Sequence, residues 1–222
     1  MRRIQVLSSR LWFPDPRHAA PDGLVAVGGD LSVERLLLAY RSGIFPWTAN
    51  PVTWWSPDPR GVFSLDHIHI PRSLRPVLNR GHLRVTFDQA FNRVVRACAS
   101  ALRDDQDTWI TAEFIEAYTA FHEAGHAHSV EVWNTNTGDL EGGLYGVAVG
   151  GFFAGESMFH KATGASKVAL LRLQEHLSDR GFKLFDTQMV TEATQLMGAY
   201  AIDRSEYLNR LEKAIDVRCS FL

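Results

Sequence analysis

Two apolar runs, Leu140–Val149 and Phe152–Phe159, stand end to end with only Gly150-Gly151 between them, and no other feature narrows the fold as much. Neither run approaches the roughly 18 to 20 residues that a membrane helix requires. The glycine pair is turn punctuation, so the runs read as neighbouring strands. Ser129–Trp133 and a turn at Asn134–Gly138 come just before them. Together these segments predict three consecutive strands, an antiparallel meander.

Strand and helix patterns alternate on either side of that meander. Ahead of it lie a strand near Val62–Leu65, a short helix begun by Pro71, and a strand His82–Phe87 with Leu83, Val85 and Phe87 on one face. Asp88 is placed to cap a helix that turns Phe91, Val94, Val95 and Cys98 to one side, and a second helix after Thr111 points Phe114, Ile115, Tyr118 and Phe121 inward. Behind it come a helix Lys167–Leu177, a strand Phe182–Gln188, a short helix Glu192–Leu196, a helix Arg204–Ala214 and a strand Val217–Phe221. The predicted class is α/β (α+β), with helices layered on a sheet. The start of the chain reads differently, because Pro, Gly and Trp clusters mark turns more than long elements. One helix is clear there, Val33–Ser42, with Ser32 as its N-cap and Gly43 as its stop. A small loop-rich N-terminal domain, residues 1–61, is therefore expected before a larger one, residues 62–222.

With 222 residues, 45% hydrophobic and 22% charged, the chain can bury a sizeable core and is neither disordered nor collagen-like. Two cysteines, Cys98 and Cys219, are too few for a disulfide framework or a cysteine zinc site and read as small buried hydrophobes. Met1-Arg2-Arg3-Ile4-Gln5 lacks the apolar core of a leader. The expectation is a soluble, cytoplasmic protein with no membrane partner.

A net charge of −2 conceals segregation. Residues 72–103 hold seven arginines (Arg72, Arg75, Arg80, Arg84, Arg93, Arg96, Arg103) against one acid, Asp88, whereas residues 104–131 hold seven acids and no Lys or Arg. Guanidinium matches phosphate oxygens in a planar fork, so an arginine block suggests a polyanion partner. The plainer alternative is a solvated face that pairs with the acidic block.

Three constellations bear on chemistry. His122-Glu123-Ala124-Gly125-His126 fits H-E-x-x-H, but that zinc motif needs both histidines on one continuous helix. Gly125 reads as the residue that ends the helix, so the two rings diverge and local packing is the simpler role; His126 and His128 remain as an i, i+2 pair without a third ligand. Asp186 and Gln188 fall on the same face of a strand end, where the carboxylate could hold the amide NH2 and leave the carbonyl oxygen aimed into a cleft. Glu156, on a neighbouring apolar strand, is a carboxylate among residues that favour burial; its plainer role is to partner an arginine. Lastly, Trp47, Trp54, Trp55, Trp109 and Trp133, with Tyr40 and Phe45, are either core or a surface on which bases stack.

Several of these residues carry a resemblance. Gly28-Gly29-Asp30-Leu31, the run from Tyr40 ending Gly43-Ile44-Phe45-Pro46-Trp47, and Trp54-Trp55-Ser56-Pro57-Asp58-Pro59-Arg60 are similar to the N-terminal signatures of the bacterial leucyl/phenylalanyl-tRNA protein transferases. Thr108-Trp109-Ile110-Thr111, His122–Trp133, Gly142–Gly146, Gly155-Glu156-Ser157-Met158-Phe159, Ala165-Ser166-Lys167 and Asp186-Thr187-Gln188 follow in that family's order and spacing. Where members commonly have a His-Thr pair, this chain reads Ala193-Thr194.

The resemblance implies an acetyltransferase-like (GNAT-like) catalytic domain behind a small N-terminal one. It implies transfer of Leu or Phe from aminoacyl-tRNA to the N-terminal α-amine of proteins beginning with Arg or Lys, marking them for degradation. The chain has no R/Q-x-x-G-x-G/A pyrophosphate loop, which suits an acyl donor carried on RNA, and no cofactor or metal is expected. Asp186, Gln188 and Glu156 are the implied catalytic residues, with Asp186 orienting the Gln188 amide and Glu156 contacting either the donor's amino group or the basic N-terminal side chain. Substrate would lie against Trp47 and Trp109 and an apolar pocket at Leu144, Phe153 and Met158, and tRNA along Arg72, Arg75, Arg80 and Arg84. Read from the residues alone, a tRNA- or single-strand-binding module without catalysis and a zinc peptidase stay open.

Overall fold

The computed structural model describes residues 4–101 and 109–222, so Arg103, the acids Asp104, Asp105 and Asp107, and Thr108 lie outside the described residues, as do Met1, Arg2 and Arg3. Four short strands, β1 (Gln5–Leu7), β2 (Leu24–Gly28), β3 (Phe45–Ala49) and β4 (Val52–Trp55), form one sheet in the order β1-β2-β4-β3. Helix α1 (Val33–Arg41) lies between β2 and β3 in the chain. Ser32 caps it by accepting from Arg35 N–H, and Gly43 ends it at φ +74°, where a Cβ would meet Leu208 Cδ2 at 2.6 Å. The loop-rich start thus carries a sheet that punctuation hides. Its strands are three to five residues long and bounded by Pro and Gly, so no periodicity accumulates, yet Trp54 is fully buried, donates its indole N–H to Gly28 O at 2.8 Å and meets Phe13 edge-on.

Seven strands form the second sheet: β5 (Arg60–Phe63), β6 (Leu83–Phe87), β7 (Ala127–Asn134), β8 (Leu140–Val149), β9 (Phe152–His160), β10 (Leu184–Gln188) and β11 (Tyr200–Ile202). Their order is β11-β5-β10-β9-β8-β7-β6. The meander is present as expected, with β7-β8 and β8-β9 antiparallel, whereas β10 joins β9 in parallel. Parallel pairing demands a crossover, supplied by α5 (Ala165–Asp179).

Alternation sorts the helices. Leu144, Phe153 and Phe185 point to the face covered by α5 and the turn 72–74 that precedes α2 (Arg75–Asn79). Tyr145, Phe152, Ala154 and Leu184 point to the other face, where α1, α3 (Phe91–Ser100), α4 (Ala112–Glu123) and α7 (Arg204–Ile215) pack. That second cluster runs without a break from Leu36, Tyr40 and Trp54 to Phe114, Tyr118 and Tyr207, each buried side chain contributing roughly 1.5–3 kcal/mol. α6 (Glu192–Leu196) occupies the expected residues.

Three expectations are corrected. Asp88 does not cap α3: it sits at φ +55° facing His128 Nδ1 at 2.6 Å and accepts from Ser129 N–H at 2.7 Å. The fully buried Glu131 takes that place, accepting from Gln89 and Ala90 N–H at the helix N-terminus, where negative charge is favoured. Ile115 is only half-buried while Phe114, Tyr118 and Phe121 are buried. Val217–Phe221 is no strand, because β11 at Tyr200–Ile202 already occupies the sheet edge beside β5 and Phe221 anchors the tail as a plug against His128 and Phe153.

Candidate active site

Strands β9 and β10 pair through Ala154↔Asp186 and then part. Both are irregular there. On β9, Gly155 faces Gly146 and Ser157 faces Tyr145, which leaves Glu156 as an extra, bulged residue; on β10 the register against β5 slips between Asp186 and Gln188. Bulges bend a strand and re-aim its side chains, and here they open a fork holding a cavity of about 410 Å³. Leu144, Leu170, Leu173 and Phe185 line it from the α5 face, Tyr145 and Trp109 from the other, and Trp47, beside Phe45 and Trp55, lines it as well. One cavity touches both faces because the sheet is split at that point. Its walls are mainly apolar; Ser157, Thr187, Gln188, Thr191 and Thr194 add polar groups, and Glu156 is the charged residue on it.

Glu156 is held in a chain of hydroxyls. Its Oε2 accepts from Tyr118 Oη at 2.9 Å, Tyr118 Oη lies 2.5 Å from Tyr40 Oη, and its Oε1 accepts from Gln188 Nε2 at 3.0 Å. Removal from bulk water pushes its carboxyl from an ordinary 4.5 up to about 7, against the opposing pull of the tyrosine and glutamine hydrogen bonds and with help from the charge of Asp186. An ionised Glu156 only accepts, so the NH2 of Gln188 must face it and the carbonyl oxygen Oε1 must face the cavity.

Gln188 itself stands at φ +63°, inside a three-residue turn closed by Met189 N–H to Thr187 O at 2.7 Å. That hand of turn is rare and strained for a residue with a side chain. Asp186 secures it, but not as the sequence suggests. The carboxylate does not hold the Gln188 amide; its Oδ1 accepts the backbone N–H of Gln188 at 2.7 Å, because the bulge turns the side chain of Gln188 toward Glu156. The rest of Asp186 is occupied by Arg60 Nε at 2.9 Å, Arg60 Nη2 at 2.6 Å and Tyr207 Oη at 2.9 Å. Asp186 is fully buried and off the cavity wall. Arg60 is fully buried and pairs with Asp186, not with Glu156; burial alone would lower its guanidinium, and the Asp186 carboxylate reverses that and raises it.

The other expected residues divide. Trp47, Trp109, Leu144 and Met158 line the cavity, whereas Phe153 lies behind it, its ring edge-on to Phe185 and stacked on Phe221. Trp54 is core, and Trp133 carries Arg93 over its ring. Arg72, Arg75, Arg80 and Arg84 are all exposed, and among the described residues none of them is ion-paired with a carboxylate. They do not form one strip: Arg72 and Arg75 belong to the α5 side of the sheet, while Arg84 alternates with Leu83 and Val85 and shares the opposite face of β6 with Thr86.

The H-E-x-x-H histidines diverge as expected. Gly125 ends α4 at φ +81°; His122 stacks on Phe91 and holds Ala127 O, whereas the His126 ring leans on Phe121, and the neighbouring His128 faces Asp88. Sequence reading missed Arg60, Tyr207, Thr191 and Met189, and took Tyr118 for packing alone. The signal for Tyr118 and Tyr40 was their shared inward face; that for Arg60 was its place in the Trp54–Arg60 motif.

Among the described residues no helix is long and apolar enough to cross a membrane. Comparison with known proteins gives the family. The sequence matches the family described as leucyl/phenylalanyl-tRNA protein transferase over residues 62–212, and that family's N-terminal domain over residues 29–58. A leucyl/phenylalanyl-tRNA protein transferase from Tolumonas auensis is 52% identical over 209 residues, spanning 92% of this chain and 88% of the relative. One from Oleidesulfovibrio alaskensis is 50% identical over 218 residues, spanning 96% of this chain and 88% of the relative. Among solved structures, a GCN5-related N-acetyltransferase from Sphaerobacter thermophilus aligns with a TM-score of 0.40 at 14% identity, over 83% of this chain and 59% of that one. The chain belongs to the leucyl/phenylalanyl-tRNA protein transferase family, and it is an aminoacyltransferase.

Proposed function

We propose that this enzyme moves Leu or Phe from the 3′ end of aminoacyl-tRNA to the N-terminal α-amine of proteins that begin with Arg or Lys, in the cytoplasm, with a small N-terminal unit (residues 1–61) backing the catalytic unit (62–222). The observation that carries the reading is the forked cavity, mainly apolar along its walls, with hydroxyls from Ser157, Thr187, Thr191 and Thr194 and with Glu156 as its charged group where it meets Gln188. A Leu or Phe side chain suits the surface of Leu144, Met158, Leu170 and Phe185. Trp47 and Trp109, both on the cavity wall, suit the flat terminal base.

The donor ester is already activated, so the reaction needs positioning more than acid or base strength. An N-terminal amine with a pKa of roughly 7.7–8 is partly neutral near neutral pH. Its nitrogen attacks the ester carbonyl carbon; the N–C bond forms, the C–O bond to ribose breaks, and the proton lost from nitrogen ends on the released ribose hydroxyl. Gln188 is too weak a base to take that proton. Its Oε1 accepts a hydrogen bond from the amine and aims the lone pair at the carbonyl carbon, which is the kind of alignment worth several kcal/mol, up to about 7–11 in ideal intramolecular cases. Glu156 keeps that oxygen outward and supplies a negative charge for the donor's ammonium or the acceptor's basic side chain. No cofactor enters this chemistry. The exposed arginines Arg72, Arg75, Arg80 and Arg84 suit tRNA phosphates.

Transfer of labelled leucine from charged tRNA to a peptide with N-terminal Arg tests the reading. The product is expected with that peptide and absent when its amine is acetylated; no transfer to any basic N-terminus would refute it, and retained tRNA binding without transfer would favour a binding module.

A further inference from the structure

We infer that Arg60 is a positioning residue for aminoacyl transfer, holding through Asp186 the strained turn that presents Gln188 and tying that turn to the Gly43–Trp47 segment of the cavity wall. This rests on the transfer reading above. Arg60 begins β5, is 1% exposed, and its guanidinium lies between the rings of Phe45, 4.9 Å from the centroid, and Tyr207, at 4.3 Å. It spends its donors in three directions: Nε and Nη2 on the two oxygens of Asp186, Nη2 also on Tyr207 Oη at 3.2 Å, and Nη1 on Gly43 O at 3.1 Å.

The two ends of that set lead to two different segments of the cavity wall. Gly43 opens the segment whose Pro46 and Trp47 line the cavity, and Asp186 Oδ1 is shared between Arg60 Nε and the backbone N–H of Gln188. A residue with a side chain leaves the left-handed region for extended backbone unless something holds it. Beside the Met189 N–H to Thr187 O bond that closes the turn, one carboxylate oxygen holds the Gln188 N–H, and a guanidinium fork fixes the plane of that carboxylate. Rotation of the carboxylate would release Gln188 N–H and let Oε1 swing from the amine. An ammonium carries the same charge but no planar fork, so it cannot fix both oxygens and reach Gly43 O together. The role is indirect, since neither Arg60 nor Asp186 lines the cavity.

The test is steady-state transfer of labelled leucine to an N-terminal Arg peptide by the full chain carrying Arg60→Lys, Asp186→Asn, or both. Arg60→Lys is expected to lower kcat about tenfold or more while KM for the charged tRNA stays within about twofold, because only alignment in the transition state is lost. The double variant should be about as slow as the slower single, since both act along one route. Should Arg60→Lys not fold, Tyr207→Phe takes its place in the cycle; it keeps the ring over the guanidinium, removes one donor from Asp186, and should lower kcat by about twofold to fivefold at unchanged KM. A folded Arg60→Lys with kcat within twofold of the parent overturns the inference, as do multiplying effects in the double variant or a change confined to KM. No transfer by the parent would overturn the reading beneath it and the inference with it.

Discussion

Glu156→Gln isolates the electrostatics of the fork. The carboxyl protonates near 7 in the fold against an ordinary 4.5. At about 1.4 kcal/mol per factor of ten, that difference amounts to about 3 kcal/mol between the two protonation states. Its sign follows from proton linkage: between pH 4.5 and 7 the folded protein binds more protons at this site than the unfolded chain does, so stability falls as pH rises through that window and the full cost is present above 7. A glutamine at the same place does not titrate. Urea unfolding of parent and variant at pH 5, 6, 7 and 8 should show the parent losing stability relative to the variant by up to about 3 kcal/mol across the series. A difference that stays constant from pH 5 to 8 would refute the claim that Glu156 is held in a water-poor fork. The same protonation bears on the reaction. Below about 7 the neutral carboxyl gains an O–H to donate, so the amide NH2 is no longer compelled to face it and Gln188 Oε1 is free to turn away from the amine. Single-turnover transfer by the parent should therefore fall below pH 7 more steeply than ionisation of the acceptor amine alone accounts for.

Gln188→Ala and Asp186→Asn should each slow transfer by at least about tenfold with tRNA affinity nearly unchanged, measured by kcat and by filter binding; normal turnover in both would remove the fork from the mechanism. Met158→Ala should weaken use of Leu and Phe donors by about 1–3 kcal/mol in kcat/KM, and equal acceptance of charged donor side chains by the parent would contradict an apolar pocket. Arg80→Ala and Arg84→Ala should each lower the slope of log affinity for tRNA against log salt by about one or slightly less, with kcat at saturating tRNA barely moved; an unchanged slope in both would sink the phosphate contacts. Phe221→Ala should cost about 3–5 kcal/mol by urea unfolding, because the ring is buried against Phe153 and His128, and a loss below 1 kcal/mol would show that the tail does not buttress the wall behind Phe185.

Local pattern decided a good part of this protein. Ser32 with Gly43, the face of Phe91, Val94, Val95 and Cys98, and the glycine pair at 150–151 each act within a few residues, so α1, α3 and the β8–β9 hairpin were legible in the chain. Motif order placed Glu156 and Gln188 together. Tertiary structure decided the rest, for reasons of distance along the chain and of register. Asp186 meets Arg60 across 126 positions, a separation over which no periodicity carries information. The direction of Gln188 depends on a bulge, and period-two reasoning sends a side chain to the wrong partner wherever one strand carries an extra residue. Asp88 looked like a cap because a short polar side chain before a helix commonly is one, but Glu131 reaches the same N–H groups from a neighbouring strand and leaves Asp88 to His128. Residue types at set spacings therefore announced which chemistry is available, while the hydrogen bonds that aim each group arise between distant segments and exist only once the sheet has closed around them.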